Sequence, residues 1–481
     1  MCGFFGISDK SLINTDLSDV NERGEFNFSR SFGDTFFHQS ILPVCGGFVG
    51  EHIFENDDFY FTYTGEIYND FYKFGYRNDT EWLADKIKRR DFNFDDVNGM
   101  YAISIYDKNE KTITLIRDPI GQIPLFYYNK NCLIFSNTIK SIATTVRTKL
   151  DKHFLKQWHK IRHYTFDNTH YKRIKLFPKG MIITYNLNGE ALRSNAIKPK
   201  RNNNDNLLAI LKKKEHRYIS YRATGSIISG GIDSSVITSL YQGAIDVAVT
   251  VTNKDKCFVS NNIGNYPLSI PIIKIENDEK TWCEAAVDYI KQSYMIPYTW
   301  SYVGYYIIGK KLENVKVLLT GEGADEIFGG YEAYISDKDK LSKYSIVGTS
   351  RHLDNKYKKR VAKHVSTSND LVVTNKYLDQ RSFLPCAAIG ANISLGMSCI
   401  ESRNPFLDHS IYYNDAFLHD VDKIRLKKIF KRQFGIELPE KQGFSGYMNE
   451  LYNYVNNTEI KNDPEDISLW KYACYQIMET V

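Results

Sequence analysis

Between residues 41 and 190 short runs rich in Ile, Phe, Tyr and Thr alternate with turn residues. Thr112–Ile116, Cys132–Phe135 and Met181–Tyr185 are the clearest predicted strands, and Asn186-Leu187-Asn188-Gly189 reads as a turn. The pattern predicts a sheet-based first domain. Pro199-Lys200-Arg201-Asn202-Asn203-Asn204-Asp205 is polar and without period, which places a boundary there and divides the chain into domains 1–195 and 205–481. Beyond it, Asn206–Tyr218 has a helical pattern, and Asp246–Val251 and Val315–Thr320 are short apolar runs of the kind that form buried parallel strands. A second, α/β domain is expected, with ligands beyond the C-terminal ends of its strands.

Composition narrows the partners. With 481 residues the chain can bury two ample cores, and a net charge of +5 from 62 basic and 57 acidic residues demands no nucleic acid. Lys427, Lys428, Lys431 and Arg432 form the densest basic stretch and read mostly as a solvated helix face. Eight cysteines without a Cys-x-x-Cys pair point to reduced thiols and no zinc site. The absence of a signal-like N-terminus and of an eighteen-residue apolar run leads to the expectation of a soluble, cytoplasmic protein acting on small molecules, with no membrane partner.

The chemistry concentrates in three stretches. Ser229-Gly230-Gly231-Ile232-Asp233-Ser234-Ser235 follows a strand-like run and leads into Val236–Leu240, a helix candidate. Glycines let the backbone approach a ligand, and the free N–H groups of a helix start face an anion. No lysine stands in this loop, which excludes the Walker pattern. It resembles instead the pyrophosphate loop of ATP pyrophosphatases, and that resemblance implies that the loop N–H groups and serines hold pyrophosphate while Asp233 takes Mg²⁺. The second stretch, Thr320-Gly321-Glu322-Gly323-Ala324-Asp325-Glu326, places acids among glycines just past a predicted strand. The third is Cys2, which removal of Met1 would make the N-terminal residue. A terminal amine, with a pKa of roughly 7.7 to 8.0, can then act as base for its own thiol.

Longer matches join these stretches. Thr64-Gly65-Glu66-Ile67-Tyr68-Asn69, Asn78-Asp79 and Arg117-Asp118-Pro119-Ile120-Gly121-Gln122-Ile123-Pro124-Leu125-Phe126-Tyr127 resemble class II glutamine amidotransferase domains as they occur in asparagine synthetases. The segment 320–331, Glu401-Ser402-Arg403-Asn404-Pro405-Phe406-Leu407-Asp408 and Leu438-Pro439-Glu440-Lys441 are similar to the synthetase domain of the same family. The resemblance implies an N-terminal αββα sandwich of the N-terminal nucleophile hydrolase type, followed by an α/β parallel-sheet domain with a helical C-terminal part. It implies ATP and Mg²⁺ as cofactors and a homodimer as one admissible assembly.

By the same resemblance Cys2, Thr64 and Gly65 belong to the glutaminase centre, and Glu66 and Asp79 bind glutamine. Ile228, Ser229, Gly230, Gly231, Asp233, Ser234, Ser235, Val249, Thr320 and Gly321 bind ATP. Asp233 and Asp325 hold the metal, and Glu322 and Lys441 act at the reacting carboxyl. Relatives that close β-lactam rings carry tyrosine at the Glu322 position, so a glutamate favours intermolecular amide formation. Two departures stand in the first domain, since Ser40 replaces a glutamine-binding arginine and Thr64 an oxyanion-binding asparagine. The expectation is slow glutamine hydrolysis beside good use of free ammonia. Ser336–Asn375 matches least and is either a cover over the site or a divergent helical insertion. The expected activity is ATP-dependent amidation of aspartate to asparagine. Alternatives are a ligase acting on another carboxylate and a catalytically silent binding relative.

Overall fold

The computed structural model describes residues 2–13, 15–44, 54–158, 167–253, 266–299, 301–331, 334, 370–435, 447–457 and 467–481. Two antiparallel sheets of six strands build the first part. One runs in the order Lys175–Leu176, Phe126–Asn129, Leu133–Ser136, Gly3–Ile7, Thr35–Ile41, Phe26–Phe32. The other runs Ala191–Ala196, Met181–Asn186, Thr112–Arg117, Gly99–Asp107, Phe59–Ile67, Phe54–Glu55.

Side-chain alternation explains the layering. In Gly99–Asp107 the residues Met100, Ala102 and Tyr106 join the core between the sheets, whereas Tyr101, Ile103 and Ile105 join an outer cluster with Leu83 and Ile87 of helix Asp79–Lys88. Both faces of this strand are therefore apolar, and all nine residues are buried. Between the sheets Phe37 meets the rings of Tyr60 and Tyr106 at 5.2 and 5.6 Å. On the far side of the first sheet, Phe5 and Ile7 pack with Ile142 and Ala143 of helix Lys140–Val146. The result is the αββα order.

The second part is a five-stranded parallel sheet, ordered Ile272–Asn277, Val247–Asn253, Thr224–Ile227, Val317–Leu319, Glu401–Arg403. Helices Ile232–Tyr241, Glu279–Ser293, Ser301–Lys311 and Leu371–Gly396 surround it. The last is 26 residues long and contains Pro385. Its Gly390 lies against the Tyr302 ring so closely that an added Cβ would fall 1.9 Å from a ring carbon. The Asn206–Tyr218 helix is broken at Lys214 into Leu207–Lys213 and Glu215–Tyr218. Among the described residues, no helix is long and apolar enough to cross a membrane.

Polar side chains join the two parts. Asn98 donates to Asp408 Oδ2 at 3.0 Å and accepts from the His409 N–H at 3.1 Å. Arg403, 1% exposed, donates to Glu66 at 2.7 Å and to Glu401 at 2.8 Å. Removing one member of a buried ion network leaves the others charged and desolvated, a cost of about 3–5 kcal/mol. Arg403→Met is therefore expected to destabilise the protein by about that amount, read as a fall in the urea unfolding midpoint. An unchanged midpoint would mean that water already reaches Glu66 and Glu401.

Candidate functional site

Strand Thr224–Ile227 leads into Ile228, and the chain turns through Ser229, Gly230 and Gly231 into helix Ile232–Tyr241. Gly230 has φ +78°, a conformation open to glycine, and its carbonyl accepts from the Tyr266 hydroxyl at 2.7 Å. The Ser229 N–H donates to Ser234 Oγ at 3.0 Å, which folds the loop against the first helical turn.

The acidic loop follows strand Val317–Leu319 and lies directly on this turn. A Cβ at Gly321 would meet Ser234 N at 2.9 Å and Asp233 Cβ at 3.0 Å, so only glycine allows the two loops to touch. Together they wall a pocket of about 290 Å³ at the strand ends, lined by Ile228, Ser229, Asp233, Ser234, Thr320, Gly321, Glu322 and Asp325 among others. Val249 stands apart. Its side chain is buried in the core and its carbonyl accepts from Ile228 N, while the neighbours Thr250 and Val251 line the pocket. Ser235 is buried one residue beyond the pocket wall.

Charge inside the pocket is arranged around Lys423. Its ammonium, on a side chain 4% exposed, contacts Asp233 at 2.5 Å and Asp325 at 2.7 Å. Burial works against the charged lysine, but the two carboxylates outweigh it and hold its ammonium above the usual lysine range. Glu322 accepts from the Tyr305 hydroxyl at 2.5 Å, and burial, with Asp325 and Asp233 nearby, raises its carboxyl above the ordinary value. Glu326 accepts from Tyr331 at 2.6 Å and is pushed up to about 8, by burial first and then by Asp325. Lys423 and Tyr305 were not indicated by any motif, and Lys423 lies just before the helix whose basic residues read as a solvated face. Lys441 and residues 336–369 fall outside the described residues.

The first domain forms a second centre around Cys2. The Cys2 carbonyl accepts three hydrogen bonds, from Thr64 Oγ1 at 2.7 Å, Asn137 Nδ2 at 3.2 Å and Arg23 Nε at 3.2 Å. Leu42 N–H donates to its Sγ at 3.4 Å, and burial pushes the thiol up to about 11. Thr64 thus holds the backbone of the cysteine, and Ser40 donates to the Asn21 carbonyl at 3.1 Å. Gly65 has φ +129°, with Met100 O only 1.9 Å from the position of a Cβ, so no other residue fits there. Asp79 accepts from Tyr63 OH at 2.8 Å and from Ile67 N at 3.2 Å. Glu66 reaches away to Arg403. Arg23, which also donates to Asn392 Oδ1 at 2.6 Å, and Asn137 are the parts of this centre that sequence reading left without a role.

Comparison with known proteins finds one match in each part of the chain. The family model for a glutamine amidotransferase domain covers residues 52–195, and that for asparagine synthase covers residues 214–440. The chain joins a glutamine amidotransferase domain to an asparagine synthase domain. Similar proteins include asparagine synthetase [glutamine-hydrolyzing] 1 of Bacillus subtilis, 25% identical over 69% of this chain and 59% of its own length. A putative asparagine synthetase [glutamine-hydrolyzing] 1 of Methanocaldococcus jannaschii is 25% identical over 68% of this chain and 62% of that protein. Asparagine synthetase B of Escherichia coli is 24% identical over 56% and 51%. The chain thus spans less than two thirds of the length of these relatives. Among solved structures, a glutamine phosphoribosylpyrophosphate amidotransferase from B. subtilis aligns at 15% identity with a TM-score of 0.29, over 56% of this chain and 65% of that one.

The half-buried Cys2, whose thiol is pushed up to about 11, has a direct chemical readout. A free cysteine with a pKa near 8.5 reacts at a rate that levels off by about pH 9.5, because the thiolate is the nucleophile. Alkylation of Cys2 by iodoacetamide, followed by mass spectrometry, is expected to keep rising about tenfold per pH unit from pH 8 to pH 10. A plateau near pH 9 would contradict the burial assigned to Cys2.

Proposed function

We propose that the chain amidates aspartate to asparagine through a β-aspartyl-adenylate, using ATP and ammonia that comes from glutamine hydrolysed at Cys2 or from solution. The observation that carries this reading is the contact of Gly321 with Asp233 and Ser234, which puts the phosphate loop and the acidic loop into one pocket. The relatives' names and the two domain matches support the same reaction.

Ammonia cannot displace oxide from a bare carboxylate, so the acceptor must first gain a leaving group. A carboxylate oxygen of the acceptor attacks the α-phosphorus and the bond to pyrophosphate breaks. Ammonia then attacks the acyl carbon and the bond to AMP breaks. For the first step the chain supplies the N–H groups at the start of helix Ile232–Tyr241 and the hydroxyls of Ser229 and Ser234, all suited to phosphate oxygens. Lys423, already between Asp233 and Asp325, is the cation available to the charge that grows on pyrophosphate. By the motif match, Lys441 serves the adenylate.

In the second step the proton lost by the attacking nitrogen needs an acceptor. Glu322 suits this role, because a carboxylate whose pKa is raised by burial is a better base than an exposed one. Tyr305 fixes its orientation. Asp233 and Asp325 also fit Mg²⁺, which takes one or two carboxylates with phosphate oxygens and water completing its shell. Such an ion would neutralise triphosphate charge when bound.

Pyrophosphate release measured over a panel of carboxylates, with ATP, Mg²⁺ and ammonium chloride present, tests the reading. Aspartate is expected to be the best acceptor, and Asp325→Ala to lower its rate by at least about a hundredfold. Release with another acid and none with aspartate would transfer the reading to a different amide ligase. Full turnover in Asp325→Ala would remove the metal assignment.

The glutaminase reading has its own test. One oxyanion donor is worth about 10²- to 10³-fold in turnover, and the Thr64 hydroxyl is engaged by the Cys2 carbonyl. Thr64→Asn is expected to raise glutamate release from glutamine at least about tenfold. Equal rates in the two proteins, with ammonia no better than glutamine as donor to the wild type, would show that the oxyanion is held from elsewhere.

A further inference from the structure

A second cavity, of about 400 Å³, lies between the two domains and away from both centres. Its lining carries four basic side chains, Lys179, Arg201, Lys376 and Arg381, and no carboxylate. Two of the four are already engaged. Arg201 donates to Asp415 at 2.5 Å, and Lys376 gives its hydrogens to the carbonyls of Phe417, Leu418 and Asp420 at 2.7, 3.0 and 2.9 Å.

Lys179 and Arg381 differ from these. The Lys179 ammonium makes one hydrogen bond among the described residues, to the Gln380 carbonyl at 2.9 Å, which leaves donors for a ligand. The Arg381 guanidinium lies 4.1 Å over the Tyr377 ring and has no ion pair among the described residues. Burial, then Arg381 and Arg117, press the Lys179 ammonium down to about 7, so the two free cations feel each other. Asp118 counters them weakly, because its oxygens accept the backbone N–H groups of Ile120, Gly121, Gln122 and Ile123. A partly buried cluster of like charge is stabilised by an anion that pairs with it. Apart from Gln380 and Asn414, the rest of the wall is aromatic or apolar, with Tyr377, Tyr412, Tyr413, Ile327 and Met181 among it.

The position of the cavity gives it a route to the reaction pocket. Helix Ala324–Phe328 separates the two, since Asp325 and Glu326 line the reaction pocket and Ile327 lines this cavity. Gln380, whose carbonyl holds Lys179, donates through Nε2 to the Glu326 carbonyl at 3.0 Å. We propose that this cavity is an effector site for a small organic anion, with a carboxylate or phosphate head on Lys179 and Arg381 and a flat apolar body among the tyrosines.

Isothermal titration calorimetry on the full chain tests this with 4-hydroxyphenylacetate and phenyl phosphate as probes. The neutral 4-hydroxyphenylacetamide and inorganic phosphate serve as controls. At least one aromatic anion is expected to bind with a Kd below about 1 mM, and which one tells a carboxylate from a phosphate head. Both controls are expected to bind at least about tenfold more weakly, and Lys179→Met and Arg381→Ala each to weaken the preferred probe at least about tenfold. Arg381 is exposed at the mouth, so Arg381→Ala keeps the test open should Lys179→Met fail to fold. No binding of either anion at about 5 mM, equal binding of a neutral or body-less control, or unaltered binding in Arg381→Ala would each overturn the proposal.

Discussion

One guanidinium, that of Arg403, ties the two halves of this protein together. It lies between Glu66 of the antiparallel sheets and Glu401 of the parallel sheet, with all three residues at most 6% exposed. Each of these charges would be costly to bury alone, and the arrangement holds only while all three stay in contact. The same short strand anchors the reaction loop, because Arg403 O accepts from Thr320 N and Asn404 links the Thr320 hydroxyl to Gln122 at 2.5 and 3.1 Å. A displacement of the amidotransferase domain would therefore be felt at Gly321 and Glu322. The pair Glu66 and Arg403 thus joins a residue expected to bind glutamine to the strand beside the pocket proposed to use ammonia.

The reaction pocket has a different electrostatic logic. Four acids, Asp233, Glu322, Asp325 and Glu326, share about 290 Å³ with one lysine at their edge. Burial and the neighbouring acids raise Glu322 above its ordinary value and push Glu326 up to about 8, and tyrosine hydroxyls donate to both. Asp233 and Asp325 face the lysine instead. The pocket is thereby divided into a charged side suited to cation and phosphate chemistry, and a side of carboxyls with raised proton affinity suited to proton transfer.

Much of this was legible in the chain. Runs rich in Ile, Thr and Tyr between turn residues mark Thr112–Ile116 and Met181–Tyr185, which form strands Thr112–Arg117 and Met181–Asn186, and glycine spacing marks both loops. Local pattern carries such features because strands and tight turns constrain each residue directly. Lys423 was not legible, since its role comes from a fold that brings it against carboxylates 190 and 98 positions away. Thr64 was read as a shortened oxyanion donor. The structure gives its hydroxyl a different partner, the Cys2 carbonyl, through a contact between residues 62 positions apart. Val249 is matched by resemblance alone, and its side chain lies in the core while its neighbours Thr250 and Val251 line the pocket.

In the proposed reaction an acceptor carboxylate is adenylated before nitrogen arrives. Aspartate labelled with ¹⁸O in its side-chain carboxylate tests it most directly, with the products of one reaction in ATP, Mg²⁺ and ammonia read by mass spectrometry. The account predicts one ¹⁸O atom in AMP for each asparagine formed, because the oxygen that attacks phosphorus leaves with it. Asparagine formed with unlabelled AMP, or with ADP and labelled inorganic phosphate as the co-products, would contradict it.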